Sequence, residues 1–300
     1  MRARYAAITA HQAHYPIRIM CAALAVSPSG YYAAVQRAAA PPSAHALATA
    51  ARVATVRAMF QRCHRRYGAP RLHRELRATG TRIAKKAVAR IMQAEGLVAR
   101  RPAAFVCTTS SDHGEPVVPN RLARRFALSE FAQPNQAWVG DMTYIPTQAG
   151  VLYLAVLLDL ATRKVVGWAV GPTLETRLPL EALRRALVWE APSAGLLQHT
   201  DRGCQYASLV YRTALTDAGI IASMSRTGNC WDNAVAESFF ATLEHELLAM
   251  QNFRTHHDAT RAITAFIEDW YNPVRQHSTL GYVSPMQYER QLRNPARRAA

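Results

Sequence analysis

The stretch that most constrains this chain is Val151-Leu-Tyr-Leu-Ala-Val-Leu-Leu158, an apolar run with no polar interruption. It is far too short to cross a bilayer, which takes roughly 20 apolar residues. A short run of this kind, bounded by turn residues, predicts a strand buried on both faces over residues 151–160. Strand patterns on either side, at 138–146 and 164–170, are joined to it by connections short enough to demand antiparallel hairpins.

The chain beyond continues with a helix at 178–190, a short strand at 196–199, a helix at 208–218, a strand at 220–224, a loop at 227–231 and a long helix at 233–250. The order βββαβαβα predicts an α/β protein: a mixed five-stranded sheet covered by helices, a ribonuclease-H-like core over 136–250. An amphipathic helix at 255–271 follows, with Ile263, Phe266, Ile267 and Trp270 on one stripe. After Asn272-Pro273 the tail of a C-terminal region, 251–300, reads as irregular and basic.

Upstream of the core the patterning is helical. Residues 1–40 read as a short segment of two helices around a turn. An all-α helix-turn-helix region is expected over 45–100, with helices at 45–63, 71–79 and 83–95, the last two stopped by Gly80 and Gly96. Residues 101–135, with Pro102, Gly114, Pro116, Pro119 and Pro134, read as an extended linker carrying a basic spot at Arg121, Arg124 and Arg125.

Charge separates these regions. The chain carries a formal +16, and residues 1–130 hold 21 Lys and Arg against 5 Asp and Glu, whereas the remainder holds 15 of each. A polyanionic partner gripped through the N-terminal half follows. Helices at 71–79 and 83–95 present Arg71, Arg74, Lys85, Lys86 and Arg90, as a DNA-reading module would. The five cysteines form no Cys-x-x-Cys pair, which fits reduced thiols in a cytoplasmic, nucleoid-associated protein rather than a disulfide framework or zinc site. No membrane partner is expected.

Three acids come from different elements of the expected core: Asp141 on the first strand, Asp201 after the fourth, and Glu237 on the long helix, 35 residues separating the last two. Converging carboxylates repel one another and need a cation. Oxygen-only ligands favour two Mg²⁺ (or Mn²⁺) ions. Such a pair, about 3.5–4 Å apart, clamps an in-line phosphoryl displacement. Asp159 also follows an apolar strand, but the hairpin to Lys164 accounts for it as structural.

The words around the acids carry a likeness. Trp138-x-x-Asp141-Met-Thr-Tyr-Ile, His199-Thr-Asp201-Arg-Gly-Cys-Gln-Tyr206, Gly228-Asn-Cys-Trp-Asp-Asn-Ala-Val-Ala-Glu237 and Tyr271-Asn-Pro-Val-Arg-Gln-His277-Ser-Thr-Leu-Gly-Tyr282 resemble the integrase-core transposases of the insertion sequence 3 family, in particular their second-reading-frame protein. Tyr67-Gly-Ala-Pro-Arg-Leu-His-Arg-Glu-Leu76 and Lys85-Lys-Ala-Val-Ala-Arg-Ile-Met92 resemble the family's helix-turn-helix, and Val26-Ser-Pro-Ser-Gly-Tyr-Tyr32 its usual opening. The resemblance covers nearly the whole chain.

The resemblance implies a DNA transposase that recognises the terminal inverted repeats of its element, frees a 3′-OH and joins it to target DNA. Asp141, Asp201 and Glu237 map onto the family's catalytic, metal-holding triad. It further implies a homo-oligomer on DNA and, in many members, fusion with an upstream-frame protein. One position departs: seven residues after the last acid the family usually has Lys or Arg, and here stands Glu244. Arg202, Arg226 or His245 would then have to supply the DNA contact. A carboxylate there makes a weakened copy, acting only as a DNA-binding protein, the alternative. A nuclease with the same metal site but no strand transfer is a further one.

Overall fold

A computed structural model describes residues 1–41, 43–99, 116–226 and 230–294. The N-terminal segment holds three helices, α1 (Arg2–His11), α2 (Ile17–Ala23) and α3 (Pro28–Ala39), one more than expected. α1 carries an almost purely exposed face and buries little beyond Ile8, which packs with Cys21, Val26 and Tyr31. Ser27 caps α3 through the Gly30 amide, and Pro28 stands in its first turn.

The helix-turn-helix region follows as α4 (Ala44–Arg62), α5 (Ala69–Ala78) and α6 (Lys85–Ala94). Val56, Phe60, Tyr67, Leu72, Leu76, Val88 and Met92 form its core. Gly80 and Gly96 adopt positive φ after α5 and α6, the left-handed exit that ends a helix at low cost.

The described part of the expected linker is not a free tether. Leu122 is fully buried, Phe131 nearly so, and both belong to the core beneath the sheet. The amides of Arg121 and Leu122 donate to Ser223 Oγ, and Arg124 pairs with Asp232 rather than standing as an open basic spot. A proline-rich composition concealed this docking, because single apolar residues anchor it without any period. Residues 101–115 lie outside the described residues.

The sheet comprises β1 (Ala137–Thr147), β2 (Gly150–Asp159) and β3 (Val165–Gly171), then α7 (Arg177–Glu190), β4 (Leu197–Thr200), the short α8 (Cys204–Ala207), α9 (Leu209–Asp217) and β5 (Ile221–Met224). Its order is β3-β2-β1-β4-β5. The first three strands pair antiparallel, and β1 with β4 and β4 with β5 pair parallel, the mixed sheet expected. Asp159 caps the β2–β3 turn, accepting from the Asn135 amide and from the amide and hydroxyl of Thr162, which bears out its structural reading.

α10 (Ala234–Glu246) covers one face of the sheet with Phe239, Phe240 and Leu243, while α7 and α9 cover the other. The expected helix 233–250 breaks at Leu247, whose backbone leaves helical geometry before a 3₁₀ turn at Leu248–Met250. α11 (His256–Thr264) opens on a capping box between Thr255 and Asp258 and continues as a π-helical stretch, Ala265–Tyr271. The C-terminal region is not irregular: α12 (Pro285–Arg293) follows. Its start was readable, since Ser284-Pro285-x-Gln287 is a capping box with proline in the first turn.

Candidate active site

β1 is the central strand, flanked by β2 and β4. Alternation along it puts Asp141 at the parity of Val139 and Ile145, residues that pack in the cluster containing the α10 side chains. Gly140 precedes it, and a Cβ there would stand 2.8 Å from Leu157 Cδ2 and 3.2 Å from Thr200 Cγ2. Glycine therefore lets β1 sit close to both neighbours just before the acid. The Gly140 carbonyl accepts from Asn233 Nδ2 at 3.3 Å, tying the start of α10 to this point of the strand.

Asp201 emerges immediately after β4 and accepts the Gly203 amide at 3.0 Å, a tight turn that fixes the carboxylate at the C-terminal end of that strand. Glu237 sits in the first turn of α10 and is half-buried. Burial and then the Asp201 carboxylate, with a smaller contribution from Glu237, push the Asp141 carboxyl well above its ordinary range, against the Met142 amide and the Asn233 side chain. Burial alone raises Glu237. The acids are thus neighbours in charge, with Asp141 and Asp201 the tighter couple. Among the described residues no three His, Cys, Asp or Glu side chains stand as a ready-made metal-ligand cluster. The donors these three acids offer are carboxylate oxygens, suited to a hard divalent cation rather than zinc or copper.

Contacts around the preceding His199 fix the end of β4 from which Asp201 emerges. His199 is fully buried between Ser223 Oγ, 2.8 Å from Nδ1, and Ser225 Oγ, 3.1 Å from Nε2. Ser223 Oγ already accepts two backbone amides, so it donates its proton to Nδ1. Nε2 then carries the ring proton toward Ser225, whose hydroxyl donates to the Thr200 carbonyl. This neutral imidazole bolts β4 to β5 beside the acid. Burial drops its pKa to about 4.

Asp232 is the other contact the sequence did not single out. It is fully buried, accepts Asn120 Nδ2 at 2.9 Å, Arg124 Nε at 2.7 Å and Arg226 Nε at 2.9 Å, and lies well below the usual carboxylate range because of Arg226. Its hint was positional, an acid beside Asn233 in the word leading to Glu237. Tyr206, buried against Tyr211, keeps a hydroxyl without a hydrogen-bond partner among the described residues.

The cationic residues divide. Arg74, Lys85, Lys86 and Arg90 are exposed on α5 and α6. Arg71 instead faces the core, with Nη1 3.8 Å from Glu246 and its guanidinium over the Tyr67 ring. Arg202 donates through Nε to the Ser225 carbonyl at 2.7 Å. Glu244 is exposed on α10.

Comparison with known proteins matches these parts. The integrase core domain family matches residues 132–230, a second family of that description matches 218–285, and an HTH-like domain family matches 48–105. The chain is 38% identical over 297 residues to transposase InsF for insertion sequence IS3A of Escherichia coli (strain K12), covering 95% of this chain and 98% of the relative. It is 39% identical over 266 residues to the insertion element IS600 uncharacterized 31 kDa protein of Shigella sonnei, covering 89% of this chain and 96% of that one. Among solved structures, the HTLV-2 integrase catalytic core domain in complex with magnesium aligns at a TM-score of 0.40 and 18% identity, over 52% of this chain and 97% of that one.

Proposed function

This chain belongs to the insertion sequence 3 family of transposases, and from that premise we propose that Asp141, Asp201 and Glu237 carry out its DNA strand cleavage and strand transfer. The observation that carries the assignment is placement: Asp141 lies on the central strand, Asp201 directly follows its parallel neighbour β4, and Glu237 stands in the first turn of α10, whose Asn233 donates to the Gly140 carbonyl beside Asp141.

Asp141 and Asp201 would hold the divalent ions, Mg²⁺ or Mn²⁺, with Glu237 completing the oxygen set from α10. When bound, such ions activate the attacking hydroxyl and stabilise the leaving oxygen of an in-line phosphoryl displacement. The protein's own part is placement. The Gly203 amide orients Asp201, and the Met142 amide and the Asn233 side chain favour the ionised form of Asp141, the form that ligates. His199, locked neutral, keeps the β4 end fixed without adding a positive charge beside the acids. The exposed cations of α5 and α6, together with Arg202 beside Asp201, supply contacts to element ends and target DNA.

Incubation of the full chain with a labelled element end and Mg²⁺ tests the reading, with Asp201→Asn as comparison. Cleavage and joining should fall by about a hundredfold or more in the variant, since an amide cannot replace a charged ligand. DNA binding with neither reaction above the Asp201→Asn background would favour the binding-only alternative. Hydrolysis without joining would favour a nuclease.

A further inference from the structure

The seam between the helix-turn-helix and the C-terminal region opens into a groove of about 850 Å³. One wall is α5 and the start of α6, presenting His73, Arg74, Arg77 and Lys85. The other is the segment after the π-helical stretch, with Val274, Gln276, Tyr282 and Gln287 at its surface and no acid among its lining residues. Glu75 is the acid on the helical wall, and Gln276 Nε2 already donates to it at 2.6 Å. An adjoining cavity of about 500 Å³, lined by His73, Arg77 and Arg82, extends the basic band along the α5–α6 turn.

We propose that this groove grips the phosphate backbone of duplex DNA, making the C-terminal segment a second wall of the DNA-binding surface. The proposal rests on the reading of α4–α6 as a DNA-binding module and names a surface that module does not hold by itself. The charge is of the right sign and lies next to Lys85 at the start of α6, so a duplex seated on α6 would pass its flanking strand over the groove.

The second wall is rigid. The Tyr282 amide donates to the His277 carbonyl at 2.7 Å, the Gln276 amide donates to Tyr67 Oη at 3.0 Å, and His277 bridges to Val283. Tyr282 itself holds a φ of 66°, a strained conformation for an aromatic residue. Its ring is covered by the Arg74 guanidinium at 4.9 Å. The guanidinium closes one face of the ring to a stacking base and keeps its own donors for phosphate oxygens. That geometry favours a duplex backbone over a single strand.

The test is fluorescence anisotropy of the full chain with a fluorescein-labelled mixed-sequence duplex, and with the matching single strand, at several salt concentrations. Gln287→Glu is the sharpest probe, because a carboxylate preserves the side-chain acceptor for the Ser284 amide while adding a negative charge to the wall. Gln287→Glu and Val274→Glu should each weaken duplex binding by about three- to tenfold at low salt, and Val274→Lys should tighten it, the differences shrinking as salt rises. Lys86→Glu, on α6 but outside the groove, tests the underlying reading separately and should weaken binding too.

Wild-type affinity in both acidic wall variants, with Lys86→Glu weakened, overturns the groove and leaves the module intact. Wild-type affinity in Lys86→Glu as well overturns the module. An effect confined to the single strand overturns the assignment to duplex. Thermal melting accompanies each variant. Should the acidic variants melt early, Val274→Lys decides: unchanged or weaker binding there overturns the proposal.

Discussion

At the scale of single residues, two buried ionisable groups have opposite effects on acid stability. His199 has its pKa lowered to about 4 by burial, so the unfolded chain takes up a proton below about pH 6.5 that the native state refuses. Its contribution is whole above that pH and is lost as pH falls toward 4, on the order of 3 kcal/mol across the window. Asp159, raised to about 6 by burial, does the reverse: stability is gained as pH falls through 6 toward the ordinary carboxylate value. Asp159→Asn should therefore steepen the loss of unfolding free energy between pH 7 and pH 5, measured by urea denaturation. Equal slopes in variant and wild type would refute the pairing. Glu244, exposed seven residues beyond Glu237 on the same helix face, bears on DNA instead. Glu244→Lys should raise end binding and joining by about three- to tenfold at low salt, and no gain in a strand-transfer assay would count against a role for this position. The three acids are legible from order and local words; His199 and Asp232 stand in the same words, but their roles are not legible there. Their importance lies in what surrounds them, Ser223 and Ser225 for one and Arg124 and Arg226 for the other, and only folding brings those partners in.

At the scale of elements, legibility followed period. The β1–β3 hairpins, α7 and the α4–α6 trio show strong apolar patterns and appear where those patterns put them, to within a residue or two. α1 is mostly exposed and so shows no apolar period, and α12 is marked only by its capping box. The π-helical stretch is indistinguishable from plain helix in the sequence, since a one-residue widening leaves the apolar stripe nearly intact. One contact between elements lies beneath sequence patterning altogether. Gly167 lies in β3 where α7 presses on the sheet: a Cβ there would collide with the Ala182 carbonyl oxygen and come within 2.6 Å of Ala186 Cβ. The obstacle is helix backbone, which cannot swing aside as a side chain does. Gly167→Ala should accordingly cost about 2–3 kcal/mol in unfolding free energy by overpacking. A neutral outcome in thermal or chemical melts would mean that α7 shifts on the sheet more freely than this packing implies.

At the scale of the molecule, the basic module is fastened to the catalytic half rather than strung beside it. Glu246, at the end of the helix that carries Glu237, is buried and accepts Arg275 Nε at 2.9 Å and Trp270 Nε1 at 3.1 Å. Across the seam the Arg66 guanidinium lies 4.7 Å from the Trp270 ring centroid. Tyr67, fully buried, accepts the Gln276 amide through its hydroxyl. Nothing in the sequence announced the seam, because its partners are some 200 positions apart, as Gln276 and Glu75 are at 201. Tyr67→Phe isolates the fastening. The ring stays, so packing against Trp270 is kept, and only the acceptor for a half-buried amide is removed. Leaving such an amide unpaired costs about 1–3 kcal/mol, and the loss should be concentrated at the seam. Hydrogen exchange of the Gln276 amide should speed up by about tenfold or more, since about 1.4 kcal/mol is a factor of ten, while amides of β1 and β2 keep their protection. Uniform acceleration throughout the sheet would mean that Tyr67 supports global stability only. No change at Gln276 would mean that the two halves are not joined there in solution. Faster exchange confined to residues 273–287 and α5 would establish the seam as a discrete, separately opening contact, through which binding of DNA by the basic module can bear on the helix that holds Glu237.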